Sequence, residues 1–148
     1  MHRRSLLSGV MAAFGGAFAT SRAHAATEPS PRKLKVVYHL NDLDKVNTVL
    51  GNIGNHYDGV GGPENVTLAL VIHGQALKAF HAASANPDIT KRVGQFSRAG
   101  LELAACGNTM KSQNVTVQEL LPGFVALEQG GVVRIAELQS QGYLYLRP

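Results

Sequence analysis

The run Val66-Thr67-Leu68-Ala69-Leu70-Val71-Ile72 constrains this chain more than any other segment. A stretch that is apolar at nearly every position cannot alternate between core and solvent. It reads as a strand covered on both faces, and such strands belong to parallel sheets flanked by helices. The flanking sequence has the same logic. Lys35-Val36-Val37-Tyr38-His39-Leu40 predicts a strand, ended by Asn41-Asp42 as the cap of a helix. Leu43, Val46, Val49, Leu50 and Ile53 repeat at helical spacing until the turn residues from Asp58 to Pro63 stop them. After the His73-Gly74 terminator, Ala76, Leu77, Phe80 and Ala83 predict a helix, with a second short one from Pro87 to Phe96. Leu101 to Ala105 reads as a third strand closed by Cys106-Gly107-Asn108, and Phe124 to Leu127 as a weaker fourth. Val132, Val133, Ile135, Ala136 and Leu138 make a helix that Gly142 terminates, and Tyr143 to Leu146 is the final strand. This alternation predicts an α/β fold, a flavodoxin-like three-layer sandwich whose sheet is mostly parallel with about five strands. At 148 residues and 45% hydrophobic composition the chain suits one such domain.

Residues 1–25 have a different character. Arg3-Arg4-Ser5-Leu6-Leu7 opens a largely apolar run that ends near Ala19, and Ala23-His24-Ala25 offers a small-residue cleavage site. That run is short for a bilayer span, which needs about 20 apolar residues. The expectation is a cleavable export signal, removed after Ala25, and a periplasmic mature protein with no membrane attachment. The paired arginines suggest the twin-arginine route, although the aromatic that usually follows the pair is missing. Residues 26–32 then form a disordered lead, and residues 33–148 the domain. The formal charge of +4 weakens as a nucleic-acid signal here, because Arg3, Arg4 and Arg22 fall in the signal, which has no Asp or Glu. No nucleic-acid partner is expected.

In open α/β sheets, ligands bind outside the carboxyl ends of the strands. His39 ends the first strand, His73 the second and Cys106 the third, each followed by capping or permissive residues: Asn41-Asp42, Gly74, and Gly107-Asn108-Thr109. A thiol at the start of a helix has its thiolate stabilised by free amides, and the thiolate is the nucleophile. Gly107 would let the backbone approach a small anion, while Asn108 and Thr109 would supply hydrogen bonds. His39 or His73 would act as a base toward Cys106. The opposing interpretation makes Cys106 a small buried hydrophobe. His39, His73 and Cys106 also form a candidate zinc or copper set, without H-x-x-x-H or C-x-x-C spacing to support it. There is no Gly-rich phosphate loop, so no cofactor is expected. His56 and His81 read as solvated, Arg134 and Glu137 as a surface or intersubunit pair, and the glycine pairs at 61–62 and 130–131 as loop or packing devices.

Leu103-Ala104-Ala105-Cys106-Gly107-Asn108-Thr109-Met110, with Val71-Ile72-His73-Gly74 before it and Gly131 to Gln139 after it, resembles the DsrE/DsrF-like proteins, in particular an exported branch. The resemblance covers about Lys33 to Pro148. It implies a parallel α/β subunit that assembles into trimers or hexamers. It also implies sulfur carried as a persulfide on the cysteine that Cys106 matches, with a sulfur donor or acceptor protein as partner. Location is the departure, since sulfur-relay members work in the reducing cytoplasm and an exported thiol meets an oxidising space. Three readings stay open: a sulfur carrier or sulfurtransferase, a non-catalytic oligomeric protein holding a small anion or metal near Cys106, and an accessory subunit for a partner protein.

Overall fold

The computed structural model describes residues 32–148. The expected export signal, and the lead as far as residue 31, lie outside the described residues. Five strands form one sheet in the order β4-β3-β2-β1-β5, and every pairing is parallel. They are β1 Leu34–Leu40, β2 Val66–Ile72, β3 Glu102–Cys106, β4 Phe124–Leu127 and β5 Leu144–Leu146. Four α-helices connect them: α1 Val46–Gly59, α2 Pro87–Arg98, α3 Gly107–Ser112 and α4 Gly131–Ser140. The fold is the α/β, flavodoxin-like sandwich that the alternating pattern implies.

Strand order decides where the helices go. From β1 to β4 the chain adds each strand on the same side, so right-handed crossovers put every connection on one face. There Leu50 and Ile53 of α1, Val93 of α2 and Met110 of α3 pack with Leu70 and Ile72. From β4 the chain returns to the opposite edge to make β5, and α4 therefore lies on the other face. Its Ile135 and Leu138 cover Val37, Ala69, Val71 and Ala104. The continuous apolar run of β2 is explained by these two layers, since Leu68 to Ile72 are all buried.

The helix expected over Ala76 to Ala83 is instead a 3₁₀ segment, Gly74–Phe80. Gly74 enters it at a φ of 62°, and a β-carbon there would stand 3.2 Å from the Asn41 carbonyl oxygen. Just after it, His81 forms an antiparallel bridge to Leu120, which draws the chain out of helical geometry. The helix expected from Pro87 to Phe96 is α2, which runs on to Arg98; Pro87 stands in its first turn and the Asn86 side chain accepts from the Asp88 amide at 2.8 Å. Among the described residues, no helix is long and apolar enough to cross a membrane.

Candidate functional site

The connection after β3 turns to one face of the sheet and the connection after β4 to the other. Their carboxyl ends thus flank the point where the topology switches, the place where open α/β sheets hold ligands. Cys106 is the last residue of β3 and Gly131 the first of α4, so the starts of α3 and α4 converge on it. The approach is close. A β-carbon on Gly131 would lie 3.4 Å from the Cys106 Cβ and 3.7 Å from that of His73, and one on Gly107 would meet the Leu127 carbonyl oxygen at 2.7 Å. Glycine is needed for space at 107, where the contact is with backbone, while at 131 a β-carbon would press on side chains that must give by a few tenths of an ångström.

Cys106 is 7% exposed. Burial alone would push its thiol up, but the amides of Thr109, Gly131 and Asn108 and the Thr109 hydroxyl outweigh it and hold the thiol below its ordinary value. In the thiol form the side chain makes no capping hydrogen bond. These donors therefore act chiefly on the thiolate. Thr109 is itself held in place, because its Oγ1 accepts from the Gly74 amide at 3.0 Å. Gly74 is tied again through its carbonyl, which accepts from Gln113 Nε2 at 2.8 Å.

Alternation along the strands puts a second group of residues on the same face. Val37, Val71 and Ala104 all pack under α4. Two positions on from each come His39, His73 and Cys106, while Tyr145 pairs with Val37 across the β1–β5 ladder. Tyr145 of β5, His39 of β1, His73 directly after β2 and Cys106 at the end of β3 consequently share one face of the sheet, in a row staggered along the strands because His39 registers with Val71 and Tyr145 with Val37. The Tyr145 hydroxyl lies 2.6 Å from His39 Nδ1, and His39 Nε2 lies 2.5 Å from His73 Nε2. The two imidazoles stack at 4.7 Å. Burial, with His73 and Arg147 adding to it against Asp42, pulls His39 down to about 4. Burial and Arg147 lower His73 also, again against Asp42.

Several expectations need correction. His39, His73 and Cys106 do not assemble as a metal set: no group of three or more His, Cys, Asp or Glu side chains among the described residues could hold an ion. The histidine nitrogens face each other and leave no room for an ion between them. Asp42 precedes a 3₁₀ turn and makes no side-chain cap. Asn41 Oδ1 and Asp42 Oδ2 instead accept from Arg147 Nη2 at 2.9 and 3.4 Å. His56 and His81 are not simply solvated, since His56 Nδ1 lies 2.9 Å from the Tyr38 hydroxyl and His81 Nε2 lies 2.8 Å from Gln113 Oε1. Arg134 does touch Glu137, at 3.6 Å, but its main partner is Glu102, held by two hydrogen bonds of 2.9 Å. Asn108 reaches under the α4 entrance, where a β-carbon on Gly130 would stand 3.0 Å from its Nδ2.

Sequence reasoning missed Tyr145, Arg147 and Gly131. The first two reach the site only through the β1–β5 register, for which no local sequence signal exists. Gly131 was visible only as one of a glycine pair, which reads as a loop or packing device and gives no sign of the residue it packs against.

Solved structures share this fold. A protein of unknown function from Methanobacterium thermoautotrophicum, MTH1491, matches with a TM-score of 0.68 and 24% identity, over 78% of this chain and 99% of that one. The ychN protein from E. coli matches at 0.58 and 13% identity, over 78% and 99%. BT1422, a conserved protein of unknown function from Bacteroides thetaiotaomicron, matches at 0.58 and 15%, over 77% and 94%. At these identities the likeness concerns fold alone. Comparison with curated proteins finds no match. The model of the DsrE/DsrF-like family matches residues 32–148, every residue described here, and the chain belongs to that family.

Proposed function

We propose that this protein is a periplasmic sulfur carrier that holds sulfane sulfur as a persulfide on Cys106. Membership of the family suggests sulfur-relay-type function, and the observation that carries the reading to this chain is the position of Cys106 at the switch point, between the starts of α3 and α4. A thiolate attacks the outer sulfur of a persulfide donor R–S–SH. The donor S–S bond breaks, an Sγ–S bond forms, and R–S⁻ leaves with the electron pair and takes up the proton that Cys106 gave up. No oxidant is consumed. The amides of Thr109, Gly131 and Asn108 suit the resulting persulfide anion as they suit the thiolate. Gly107 and Asn41 contribute by shaping the loops rather than by chemistry.

Export after Ala25 puts this thiol in an oxidising compartment with no second cysteine on its own chain. Resolution of the persulfide then falls to a partner protein or a neighbouring subunit of a homo-oligomer. The family resemblance suggests a trimer or hexamer, and exposed apolar side chains at Val125, Val132, Leu144 and Leu146 are available to such contacts.

The low exposure of Cys106 favours a second reading, a non-catalytic oligomeric protein holding a small anion at the same amides. Intact mass of protein taken from the periplasm without reductant, before and after dithiothreitol, separates the two. The carrier reading expects a reducible increment of about 32 Da, one sulfur atom, that is lost in Cys106→Ser. An unmodified thiol that also resists alkylation overturns it in favour of the second.

A further inference from the structure

The Cys106 reaction poses a problem of proton traffic. Thiolate attack on a sulfane sulfur or a disulfide releases one proton and later consumes one, and the sulfur concerned is nearly sealed from solvent. Beside it runs the row of Tyr145, His39 and His73. We propose that these three side chains form a proton relay linking the Cys106 sulfur to solvent, taking the thiol proton as the sulfur attacks and returning a proton to the thiolate that leaves. The inference deepens the sulfur-carrier reading and rests on it for the identity of the nucleophile.

Three features carry it. The first is continuity, because the row takes its side chains from β5, β1, the residue that follows β2 and the end of β3, with contacts of 2.6 and 2.5 Å between the first three members. His73 and Cys106 follow directly on the last β2–β3 register pair, Ile72 and Ala105, and their β-carbons flank the same point above Gly131. The second is exposure, 7% at Cys106 and 40% at Tyr145, with His39 and His73 partly buried between them. The third is protonation state. A neutral imidazole has one donor and one acceptor nitrogen and can pass a proton through itself, whereas an imidazolium has two donors and cannot. Burial keeps both histidines neutral near pH 7, which leaves the relay open.

Two proton arrangements satisfy every contact. In one, the Tyr145 hydroxyl donates to His39 Nδ1, His39 Nε2–H donates to His73 Nε2, and His73 carries its remaining proton on Nδ1. In the other, His73 Nε2–H donates to His39 Nε2, His39 Nδ1–H donates to the Tyr145 oxygen, and His73 Nδ1 is a free base. A proton entering at His73 Nδ1 converts the second into the first, with the Tyr145 hydroxyl proton passing to water. The reverse sequence delivers a proton to R–S⁻, so protons balance over the exchange and no electrons are needed. His73 is the member whose β-carbon flanks the same point above Gly131 as that of Cys106, so the relay assigns it the exchange with the sulfur. His39 and Tyr145 are positioning residues that set its tautomer. The charged and titratable groups around the pair are Asp42 and Arg147 on one side and Tyr145 and Cys106 along the row, while α4 presents the Gly131 amide and α3 presents Thr109.

The test uses two small neutral disulfides on the full protein, following mixed-disulfide formation at Cys106 by mass. The thiolate that leaves dithiodipyridine is delocalised onto its ring nitrogen and needs no proton at sulfur, while hydroxyethyl disulfide releases a basic thiolate that does. The relay predicts that the rate with hydroxyethyl disulfide, relative to dithiodipyridine, falls about tenfold or more in His73→Asn. The same ratio falls in His39→Gln and Tyr145→Phe, and the solvent deuterium effect on the hydroxyethyl reaction disappears. Gln at position 39 keeps a hydrogen-bonding side chain but cannot pass a proton between two of its own atoms, so a structural role would survive that change. If His73→Asn does not melt cooperatively, the other two variants decide. An unchanged ratio in the folded variants overturns the relay, as does an equal fall with both disulfides or a wild-type thiol that reacts with neither. A changed ratio without any sulfur on the periplasmic protein sinks the carrier reading alone, and sulfur loading with an unchanged ratio sinks the relay alone.

Discussion

His39 and His73 meet nitrogen to nitrogen, Nε2 to Nε2 at 2.5 Å, with their rings stacked at an interplanar angle of 25°. One nitrogen of the pair must donate and the other accept, so the contact exists only while at least one of the rings is neutral. It joins two strand ends 34 residues apart in the chain and ties the middle of the sheet to the site.

Acidification should therefore weaken the fold. The folded value for His39 is about 4 against an ordinary 6.5, so between these values the unfolded chain binds more protons and stability rises with pH. The stabilisation is present in full above about 6.5 and is lost as pH falls towards 4. With the ring partly solvated, the effect amounts to roughly 1 kcal/mol. Urea unfolding at pH 7 and pH 5 measures it, and His39→Gln should flatten the difference.

Arg147 bears on the same pair from the chain terminus. Its guanidinium lowers both histidines, so Arg147→Ala should raise both. Titration of the imidazole carbon-bound protons by NMR reads the shift, and resonances that titrate as in wild type would refute the assignment.

Thr109→Val keeps the shape of the side chain and removes its hydroxyl. The Gly74 amide then loses an acceptor and the Cys106 thiolate a donor. The fold should lose about 1 kcal/mol. The pH midpoint for iodoacetamide alkylation of Cys106 should move upward, and a midpoint at the wild-type position would show that the hydroxyl does not act on the sulfur.

Gly107→Ala forces a β-carbon against the Leu127 carbonyl oxygen, where only a backbone shift relieves the contact. It should cost about 1–3 kcal/mol of stability. Gly131→Ala meets side-chain carbons at 3.3 and 3.4 Å and should cost less, while still moving the α4 amide away from the sulfur. Urea midpoints rank the two, and alkylation of Gly131→Ala at neutral pH should be slower than wild type.

Much of the fold was legible in the sequence because apolar periodicity is local. The β2 run, the helical spacing in α1 and the glycine stops marked nearly every element, and β4 was readable from Phe124 to Leu127 despite its polar surroundings. The Ala76 segment was misread, since 3₁₀ and α-helical turns bury similar spacings. What tightened it was long-range, the Gly74 contact with Asn41 and the bridge to Leu120.

Strand ends likewise pointed to His39, His73 and Cys106, because an α/β sheet collects chemistry at its carboxyl edge. Residue type and position along a strand are local properties, and they determined which face each side chain occupies. Which strands are neighbours is not local. The return of β5 to the far edge, beside β1, brings Tyr145 to His39 and Arg147 to Asn41, and the turn of α4 to the opposite face sets Gly131 over Cys106. The sequence by itself determined the elements and the candidate nucleophile. Only the tertiary structure decided its partners, because pairing across about a hundred residues depends on the packing of two whole layers rather than on any segment of the chain.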